Sequence, residues 1–495
     1  MPGPEDKAAR EHSSTAHNSS GEMFWAIPLL LSMVLLLPCV WQSRIQSIDL
    51  SSHIYNAWLA SLIAQNQAPG LWLAYPSNNV LFDLLLVWLL PYFGAAAAQG
   101  IAVGVSVLVF SWGAILLISR RRPRNWWFLL PSVAVLSYGF IFHVGFFNFY
   151  LGLGISFWYL ALFFSGRWQT RLLVTPLLVL AWLAHPLPVL WAAGLALYTA
   201  VAERLPAQAR VVLAGVAVVV LLGVHFWLKV AYRGVWSIDQ AWFTTGANQL
   251  LLFDRKYFIP YVLLLVGWVW MLGRLVWKRR FRVVLGDLIF QRWLLAAAAV
   301  AMIPAIITFP QYALPLSFVS SRLSLGAGVL LAALLAEVQP KRVEKAVLTL
   351  SALIFFGFVF RDAQKLNRIE DQLDTVVAQL PRNSRVIGFL RIPSKTRPPL
   401  LHAVDRACIG HCFSYASYEP SSRQFRVRVA EGSPIVMADY DDVASVETGE
   451  YMVQAADLPA FLVYLCGPEQ QQVCSHQLHE GEVIDSVASV HEPPE

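Results

Sequence analysis

Two ionisable side chains with compatible chemistry follow the first apolar segment of the sequence. Asp49 and His53 belong to the sequence IDLSSH, which begins at position 48. If a helix begins at Asp49, the two side chains are four residues apart and share one helix face. A carboxylate beside an imidazole can act as a general base with a helper. The structural alternative is that Asp49 or Ser51 caps the helix and His53 is a polar residue at its edge.

Three further polar residues occur in short turns between apolar segments. They are Asn148 in the turn GFFNFY, His185 in a turn before proline, and Arg322 before a long apolar run. Each has a structural explanation, because Asn148 and His185 can serve helix ends and Arg322 can reach the lipid headgroups. An arginine also suits phosphate, since its guanidinium binds two oxygens at once. Together with the first pair, on one membrane face, the three residues predict a site for a phosphate-bearing lipid and a polar acceptor.

The composition places these residues in a membrane protein. Of 495 residues, 57% are hydrophobic and 14% are charged, whereas a soluble domain carries about 25% charged residues. The net charge of +6 is unevenly distributed. Residues 1–360 hold 25 basic and 12 acidic residues, and residues 361–495 hold 12 basic and 19 acidic ones. An excess of basic residues is typical of the cytoplasmic loops of membrane proteins, so we expect membrane lipids and no nucleic acid as partners.

Apolar runs and basic clusters together predict a path for the chain. The N-terminal tail, 1–22, is expected to be disordered and cytoplasmic, and residues 23–360 to form the membrane domain. The apolar run 80–93 contains Asp83, and counting it as a span would place the arginine cluster at 120–124 outside. We therefore expect an interfacial helix there and, within the first external loop at 42–98, an amphipathic helix near 49–65. Eleven spans are predicted, at about 23–41, 99–119, 126–142, 151–166, 172–184, 187–202, 211–228, 257–275, 293–309, 323–337 and 346–360.

The C-terminal residues 361–495 predict a small external α/β domain. A helical pattern covers 362–380, and short apolar runs at 385–390, 434–437 and 461–465 predict strands. Four of the five cysteines lie here, and an even number in an external domain predicts two disulfides. The three possible pairings stay open, as does a zinc site, since two histidines lie near these cysteines. The fifth cysteine, in the first span, is expected to be a buried thiol. The five cysteines are Cys39, Cys408, Cys412, Cys466 and Cys474, and the two histidines are His411 and His476.

The arrangement of these features resembles the GT-C class of integral-membrane glycosyltransferases. The resemblance is carried by an acidic residue soon after the first span, by the turn QAPGLW at 67–72, and by the half-inserted helix at 80–93. The turn at 145–150 and an external domain after the last span also fit. The resemblance implies transfer of a sugar from a polyprenyl-phosphate carrier to a glycan, lipid or protein acceptor on the external face, with inversion. Asp49 would be the general base.

The same resemblance implies roles for the other residues. Arg322 would stabilise the phosphate leaving group, with His185 or His53 as a helper, and Asn148 would contact substrate. Members of the class often carry a second acidic residue near the first, but here the next one is Asp83. We therefore expect no required cofactor, and leave a divalent metal open.

Two other classes of function compete with the transferase. One is a transporter or flippase of a lipid-linked saccharide, and the other is a non-catalytic envelope assembly protein. Transporters carry ionisable residues near the bilayer midplane. The predicted spans carry almost no charge in their middles, which favours chemistry at the surface over passage. The expected location is the bacterial inner membrane, with the N-terminus in the cytoplasm and the C-terminal domain outside.

Overall fold

Long apolar helices dominate the chain. The computed structural model describes residues 27–120, 126–166, 168–392, 399–467 and 472–489. The predicted disordered tail, 1–22, lies outside the described residues. Within them, six helices are long and apolar enough to cross a membrane, and five apolar helices are shorter. The expectation of an integral membrane protein is therefore confirmed.

The helices are numbered in chain order. Those up to the last apolar helix are α1 (Ile27–Val40), α2 (Leu50–Ala64), α3 (Leu81–Ser119), α4 (Leu130–Ser137), α5 (Phe140–Val144), α6 (Phe147–Ser165), α7 (Trp168–Leu173), α8 (Pro176–Ala184), α9 (Pro186–Ala202), α10 (Ala207–Ala231), α11 (Phe258–Arg279), α12 (Phe281–Leu285), α13 (Leu288–Met302), α14 (Val319–Leu335) and α15 (Arg342–Gln379). Four short helices follow: α16 (Ala403–Ala407), α17 (Tyr418–Ser422), α18 (Tyr440–Thr448) and α19 (Ile484–Ser489).

Helix α3 joins two segments that were predicted separately. It covers both the expected interfacial helix at 80–93 and the expected span at 99–119. The backbone leaves the helical conformation at Gly94, where φ is 71° and ψ is 170°, three residues after Pro91. A positive φ favours glycine, and a proline inside a helix removes one backbone hydrogen bond. The predicted division therefore coincides with a sharp kink inside one continuous element.

Helix α2 differs from the expected amphipathic helix. Leu50 and Ile54 on one side belong to the core of the membrane bundle, whereas Tyr55 and Leu59 on the other belong to a second core. The burial of α2 includes its polar residues Ser51, Ser52, His53 and Asn56. The helix expected near 49–65 is present as α2, and it packs between the bundle and the C-terminal residues.

Helix α15 continues from the apolar part of the chain into the C-terminal part. The expected domain boundary between residues 360 and 361 falls inside it. Its apolar half packs in the bundle through Leu348 and Phe355, and its polar half packs through Leu366 and Leu373 in the second core. One rigid helix thus connects the two parts without a linker.

The C-terminal residues build a four-stranded mixed sheet. The six strands of the described chain are β1 (Leu71–Leu73), β2 (Arg385–Phe389), β3 (Phe413–Ser414), β4 (Val427–Val429), β5 (Ala460–Cys466) and β6 (Gln472–Gln477). The sheet has the order β3-β2-β5-β6, with β2 parallel to β3 and β5, and β6 antiparallel to β5. The predicted strands at 385–390 and 461–465 are present. In the segment 434–437, residues 435–437 are buried but form no strand, although the Met437 amide donates to the Tyr415 carbonyl at 2.8 Å.

Two disulfides form within the C-terminal residues, and one pair of strands connects these residues to the first loop. Cys408 pairs with Cys412 and Cys466 pairs with Cys474, so the prediction of two disulfides is confirmed over the zinc alternative. Cys39 is a buried free thiol, as expected. The strand β1 of the first loop pairs antiparallel with β4, which is more than 350 residues further along the chain. This pairing holds the C-terminal residues against α2 and the start of the bundle.

Candidate active site

Helix starts converge on one cavity of about 1410 Å³. Its lining includes all five residues predicted from the sequence, which are Asp49, His53, Asn148, His185 and Arg322. Each lies immediately before a helix or within its first turn, in α2, α6, α9 and α14. The amino end of a helix carries a partial positive charge and unpaired amide donors. Four such ends around one cavity therefore favour an anionic ligand.

Asp49 is held by a glycine that approaches its backbone. Its amide donates to the Val144 carbonyl at 3.0 Å. Gly145 has a φ of 96°, and a Cβ placed on it would lie 2.7 Å from the Asp49 nitrogen. Only glycine fits that conformation and that approach. The Asp49 side chain forms no cap hydrogen bond to α2, so the capping interpretation does not describe its contacts. It is buried, and Oδ1 lies 3.7 Å from His402 Nε2.

His53 lines the cavity and is paired with two carboxylates that lie behind it. Its Nδ1 lies 2.8 Å from Asp83 Oδ1 and 3.5 Å from Glu419 Oε1. Burial alone lowers the pKa of His53, but the charges of Asp83, Glu419 and Asp49 outweigh that effect and raise its pKa to about 10. Near neutral pH the ring is therefore an imidazolium, and it cannot serve as a base. It supplies a positive charge one helix turn from Asp49.

Glu419 behaves differently from an exposed glutamate. It is buried, and Oε1 accepts a hydrogen bond from the Ser52 hydroxyl at 3.2 Å. Burial raises the pKa of this carboxyl, the charge of Asp83 adds to the effect, and the imidazolium of His53 opposes it. His53 is thus a buried imidazolium between the carboxyl groups of Asp83 and Glu419. Only one of these two groups needs to be ionised to balance the charge of the ring.

Asn148 orients Asp83 and caps the helix that carries it. Its Nδ2 donates to Asp83 Oδ2 at 2.8 Å and to the Asn79 carbonyl at 3.2 Å. Its Oδ1 accepts from the Phe82 amide, in the first turn of α3, at 2.8 Å. Asn148 therefore does cap a helix, but it caps α3 and not its own helix. These contacts suit a positioning role better than a direct contact with substrate.

His185 and Arg322 present two hydrogen-bond donors to the cavity. His185 Nδ1 accepts from the Leu187 amide at 3.1 Å, which caps α9, and Nε2 lies 3.1 Å from Arg322 Nη1. Burial and the Arg322 charge hold the pKa of His185 well below its ordinary value, so the ring is neutral. A neutral imidazole has a single acceptor nitrogen. While Nδ1 accepts, Nε2 carries the hydrogen and faces another donor.

An anion relieves this conflict between donors. The Nε2 hydrogen of His185 and the guanidinium of Arg322 can both donate to oxygens of one bound phosphate. Arg322 is held in place by aromatic rings, with its Cζ 3.9 Å from the centre of the Phe146 ring and 5.6 Å from that of Phe149. Stacking fixes the guanidinium plane without using all its donors.

The C-terminal residues complete the cavity wall. His402 and Tyr418 line it, and their rings lie 4.7 Å apart between centroids. The backbone there is tied to α2, because the Ser414 amide donates to the Tyr55 hydroxyl at 2.9 Å. Asp405 contacts the same residue, because its carboxyl group accepts a hydrogen bond of 2.5 Å from the Ser414 hydroxyl. That bond lowers the pKa of Asp405, but burial outweighs it and raises the pKa to about 7.

Sequence reasoning missed four residues of this site. Asp83 had a usable signal, since an acidic residue inside an apolar run is a functional candidate. His402, Tyr418 and Glu419 had none, because they are brought to α2 by long-range contacts, such as the pairing of β1 with β4 and the hydrogen bond from the Ser414 amide to the Tyr55 hydroxyl. In the described residues, no group of three or more histidine, cysteine or acidic side chains is arranged to hold a metal ion. The expectation that no metal is required remains a prediction.

Compared with known proteins, the chain matches no protein-family model, no curated protein and no solved structure. The resemblance to the GT-C class stays a prediction, and function has to be inferred from the geometry of the site.

Proposed function

We propose that this protein is a membrane glycosyltransferase that moves a sugar from a polyprenyl-phosphate carrier to an acceptor hydroxyl. The acceptor oxygen attacks the anomeric carbon while Asp49 takes its proton. The bond between that carbon and the phosphate oxygen breaks, its electron pair stays on the phosphate, and the configuration inverts. Asp49 then releases the proton to solvent, and the polyprenyl phosphate leaves along the apolar surface between helices.

One observation carries this proposal: a buried carboxylate and a pair of anion-binding donors line the same cavity. Asp49 supplies the carboxylate, and His185 with Arg322 supplies the donors. A phosphate leaving group needs little acid catalysis but gains from positive charge where its own charge develops. The helix starts around the cavity add to that charge. The cavity volume of about 1410 Å³ is large enough for two substrates together.

The residues around Asp49 have supporting roles in the proposed reaction. His53 adds a fixed positive charge beside Asp49, and Asp83 and Glu419 keep the ring ionised and oriented. Asn148 holds the carboxylate of Asp83 in position through a hydrogen bond. A preorganised cluster of this kind does not have to reorganise when charge moves during the reaction. The proposed step uses no metal ion.

Packing between the helices favours a transferase over a transporter. All residues of α14 are buried from Val319 to Leu335. Helices α3 and α6 approach so closely that a Cβ on Gly113 would lie 2.7 Å from the Gly154 carbonyl oxygen. Such contacts leave no passage through this part of the bundle.

The proposal includes a position in the membrane. Each of the eleven predicted spans overlaps an apolar helix, and the predicted inner segments hold 17 lysines and arginines against six in the outer loops. We propose eleven spans in a bacterial inner membrane, with the cavity and the sheet outside. Reporter fusions after residue 125 and at the C-terminus are expected to report opposite sides. Reports from the same side would contradict this orientation.

A turnover assay tests the function. The purified chain in proteoliposomes is given a polyprenyl-phosphate sugar and a pool of glycan, lipid and peptide acceptors, and products are read by mass spectrometry. The expected result is a glycosylated acceptor together with free polyprenyl phosphate in equal amounts. Translocation of the intact donor without cleavage identifies a flippase, and neither event identifies an assembly protein. Both of those results contradict the proposal.

A further inference from the structure

The C-terminal residues form a polar wall on one side of the cavity of the candidate active site. Among the described residues of this wall, only Phe425 and Ala438 are apolar. The other side chains are polar or charged, and they include Arg423, Arg428 and Asp439. Apolar surfaces hold an acyl chain, so this wall does not suit the tail of a lipid. It suits a ligand that carries many polar groups.

A series of contacts connects Asp49 to this polar wall. Oδ1 of Asp49 lies 3.7 Å from His402 Nε2, and the His402 ring lies 4.7 Å from the Tyr418 ring between centroids. The Tyr418 ring lies 5.6 Å from the Phe425 ring, and the Phe425 carbonyl accepts a hydrogen bond from Arg428 Nε at 3.1 Å. Three residues thus separate Arg428 from Asp49 along this path. The polar wall can therefore contact a part of a substrate other than its reacting hydroxyl.

The polar wall offers both donors and acceptors in fixed positions. Arg428 is half-buried, with its Cζ 5.5 Å from the centre of the Trp72 ring, and its bond to the Phe425 carbonyl uses one of its five N–H groups. Asp439 Oδ1 accepts from the Asp441 amide at 2.9 Å, which caps α18 and uses one of the two carboxylate oxygens. A sugar hydroxyl both donates and accepts hydrogen bonds. A chain of sugars therefore matches this mixture of side chains.

The charges of the polar wall distinguish it from the part of the cavity around Arg322. Arg423 and Arg428 are positive, but Glu431 and Asp439 line the same wall. These carboxylates repel a simple anion, whereas they accept hydrogen bonds from hydroxyls. A peptide is commonly bound through its backbone at the edge of a sheet. Strand β4 is only three residues long and uses one edge to pair with β1, so it offers little backbone to a peptide.

We propose that the polar wall binds a saccharide chain and that this chain is the acceptor, an inference that rests on the proposed transferase function. The new glycosidic bond joins the transferred sugar to a hydroxyl of this chain, Asp49 takes the hydroxyl proton, and the bond to the phosphate breaks. Inversion requires the acceptor to attack from the face opposite the leaving group. Arg322 belongs to the bundle side of the cavity, and His402, beside Asp49, belongs to the C-terminal side. The two substrates thus have separate walls.

Binding of oligosaccharides without a donor tests the polar wall alone. The purified full chain in detergent is applied to an array of immobilised oligosaccharides built from hexoses, amino sugars and hexuronic acids. The dissociation constant of the tightest oligosaccharide is then measured by thermophoresis for wild type, Arg428→Gln and Asp439→Asn. We expect it to rise about tenfold in each variant. Asp439→Asn retains the cap of α18, since asparagine caps helices as well as aspartate does, and it keeps the test valid if Arg428→Gln fails to fold.

Two control variants match these substitutions. Arg385 is half-buried like Arg428, its Cζ lies 5.2 Å from the centre of the Tyr415 ring, and it donates to one backbone carbonyl, but it does not line the cavity. Asp441 is an exposed acidic residue of α18 outside the lining. In Arg385→Gln and Asp441→Asn the dissociation constant should stay within twofold of wild type. Equal losses in the controls, or an array on which no oligosaccharide binds, would overturn the inference.

A second arm asks whether the bound saccharide is the acceptor. A polyprenyl-phosphate sugar is added to the bound oligosaccharide, and growth of the oligosaccharide by one sugar supports the inference. Competition between the two ligands assigns the polar wall to the sugar of the donor and overturns it. Transfer to a lipid or a peptide, with no oligosaccharide bound, also overturns it but supports the transferase function. Binding that depends on Arg428, without any transfer, supports the saccharide site and contradicts the transferase function.

Discussion

The buried pair of His53 and Asp83 makes a quantitative prediction about stability. Asp83→Asn keeps the shape and can still accept the Asn148 hydrogen bond, but it removes the closest charge from a buried imidazolium. Breaking a buried pair by removing one partner costs about 3–5 kcal/mol. Glu419 remains at 3.5 Å and can ionise in place of Asp83. We therefore expect Asp83→Asn to lower the free energy of unfolding by about 3 kcal/mol. The double variant with Asp83→Asn and Glu419→Gln should lose more than the sum of the losses in the two single variants.

The pH dependence of this loss identifies its cause. The folded protein raises the pKa of His53 from 6.5 to about 10. The stabilisation is thus fully present below pH 6.5 and is lost as the pH rises through about 10. Unfolding midpoints in detergent, followed by tryptophan fluorescence, are compared at pH 6.5 and pH 10.5. The difference between wild type and Asp83→Asn should shrink sharply at pH 10.5.

An exposed pair of the same chemistry provides the control. His476 Nε2 lies 3.2 Å from Glu482, and the two side chains are about 30% exposed. Glu482→Gln is expected to cost no more than about 1 kcal/mol. A loss in Asp83→Asn as small as in Glu482→Gln, or one that does not change between the two pH values, would refute the assignment of His53 as a buried cation.

Three further predictions follow from individual contacts. Arg322→Lys keeps the charge but loses the planar fork, so KM for the lipid donor should rise about tenfold with little change in thermal stability, relative to an Arg204→Lys control. Gly145→Ala places a Cβ 2.7 Å from the Asp49 nitrogen at a φ of 96°. It should therefore lower the free energy of unfolding by about 1–3 kcal/mol and reduce turnover more than tenfold. Gly194→Ala, which has open space around it, should change neither quantity. Removing the Cys466–Cys474 disulfide by paired serine substitutions should cost about 2–3 kcal/mol by loop entropy, and non-reducing peptide mapping should find Cys466 joined to Cys474; mapping to any other partner would contradict it.

The apolar helices were the part of the structure that the sequence predicted well. Apolar runs and arginine clusters define where helices begin and end, because charged groups are excluded from the bilayer core. The five candidate residues meet in one cavity for the same reason, since all occur at helix starts predicted for one face. The kink at Gly94 also has a local signal, in the positive φ that glycine allows and in Pro91.

Long-range contacts were beyond sequence reasoning. The expected amphipathic α2 is buried on both sides because the C-terminal residues cover it. The expected strand at 434–437 is absent although residues 435–437 are buried, because a short apolar run indicates burial and burial alone does not produce a strand. His402 lines the cavity and Glu419 pairs with His53 through long-range contacts that include the pairing of β1 with β4, and periodicity in a single sequence carries no information about such contacts.

The central claim is that Asp49 accepts the proton of the acceptor. Asp49→Asn preserves the shape and removes the base, and asparagine caps helices as well as aspartate does. Sugar transfer is measured in proteoliposomes at matched protein amounts, with Asp441→Asn, an exposed residue of α18, as the control. Turnover should fall about 10²–10⁴-fold in Asp49→Asn, with normal folding and no change in the control. Full activity in Asp49→Asn would contradict this claim.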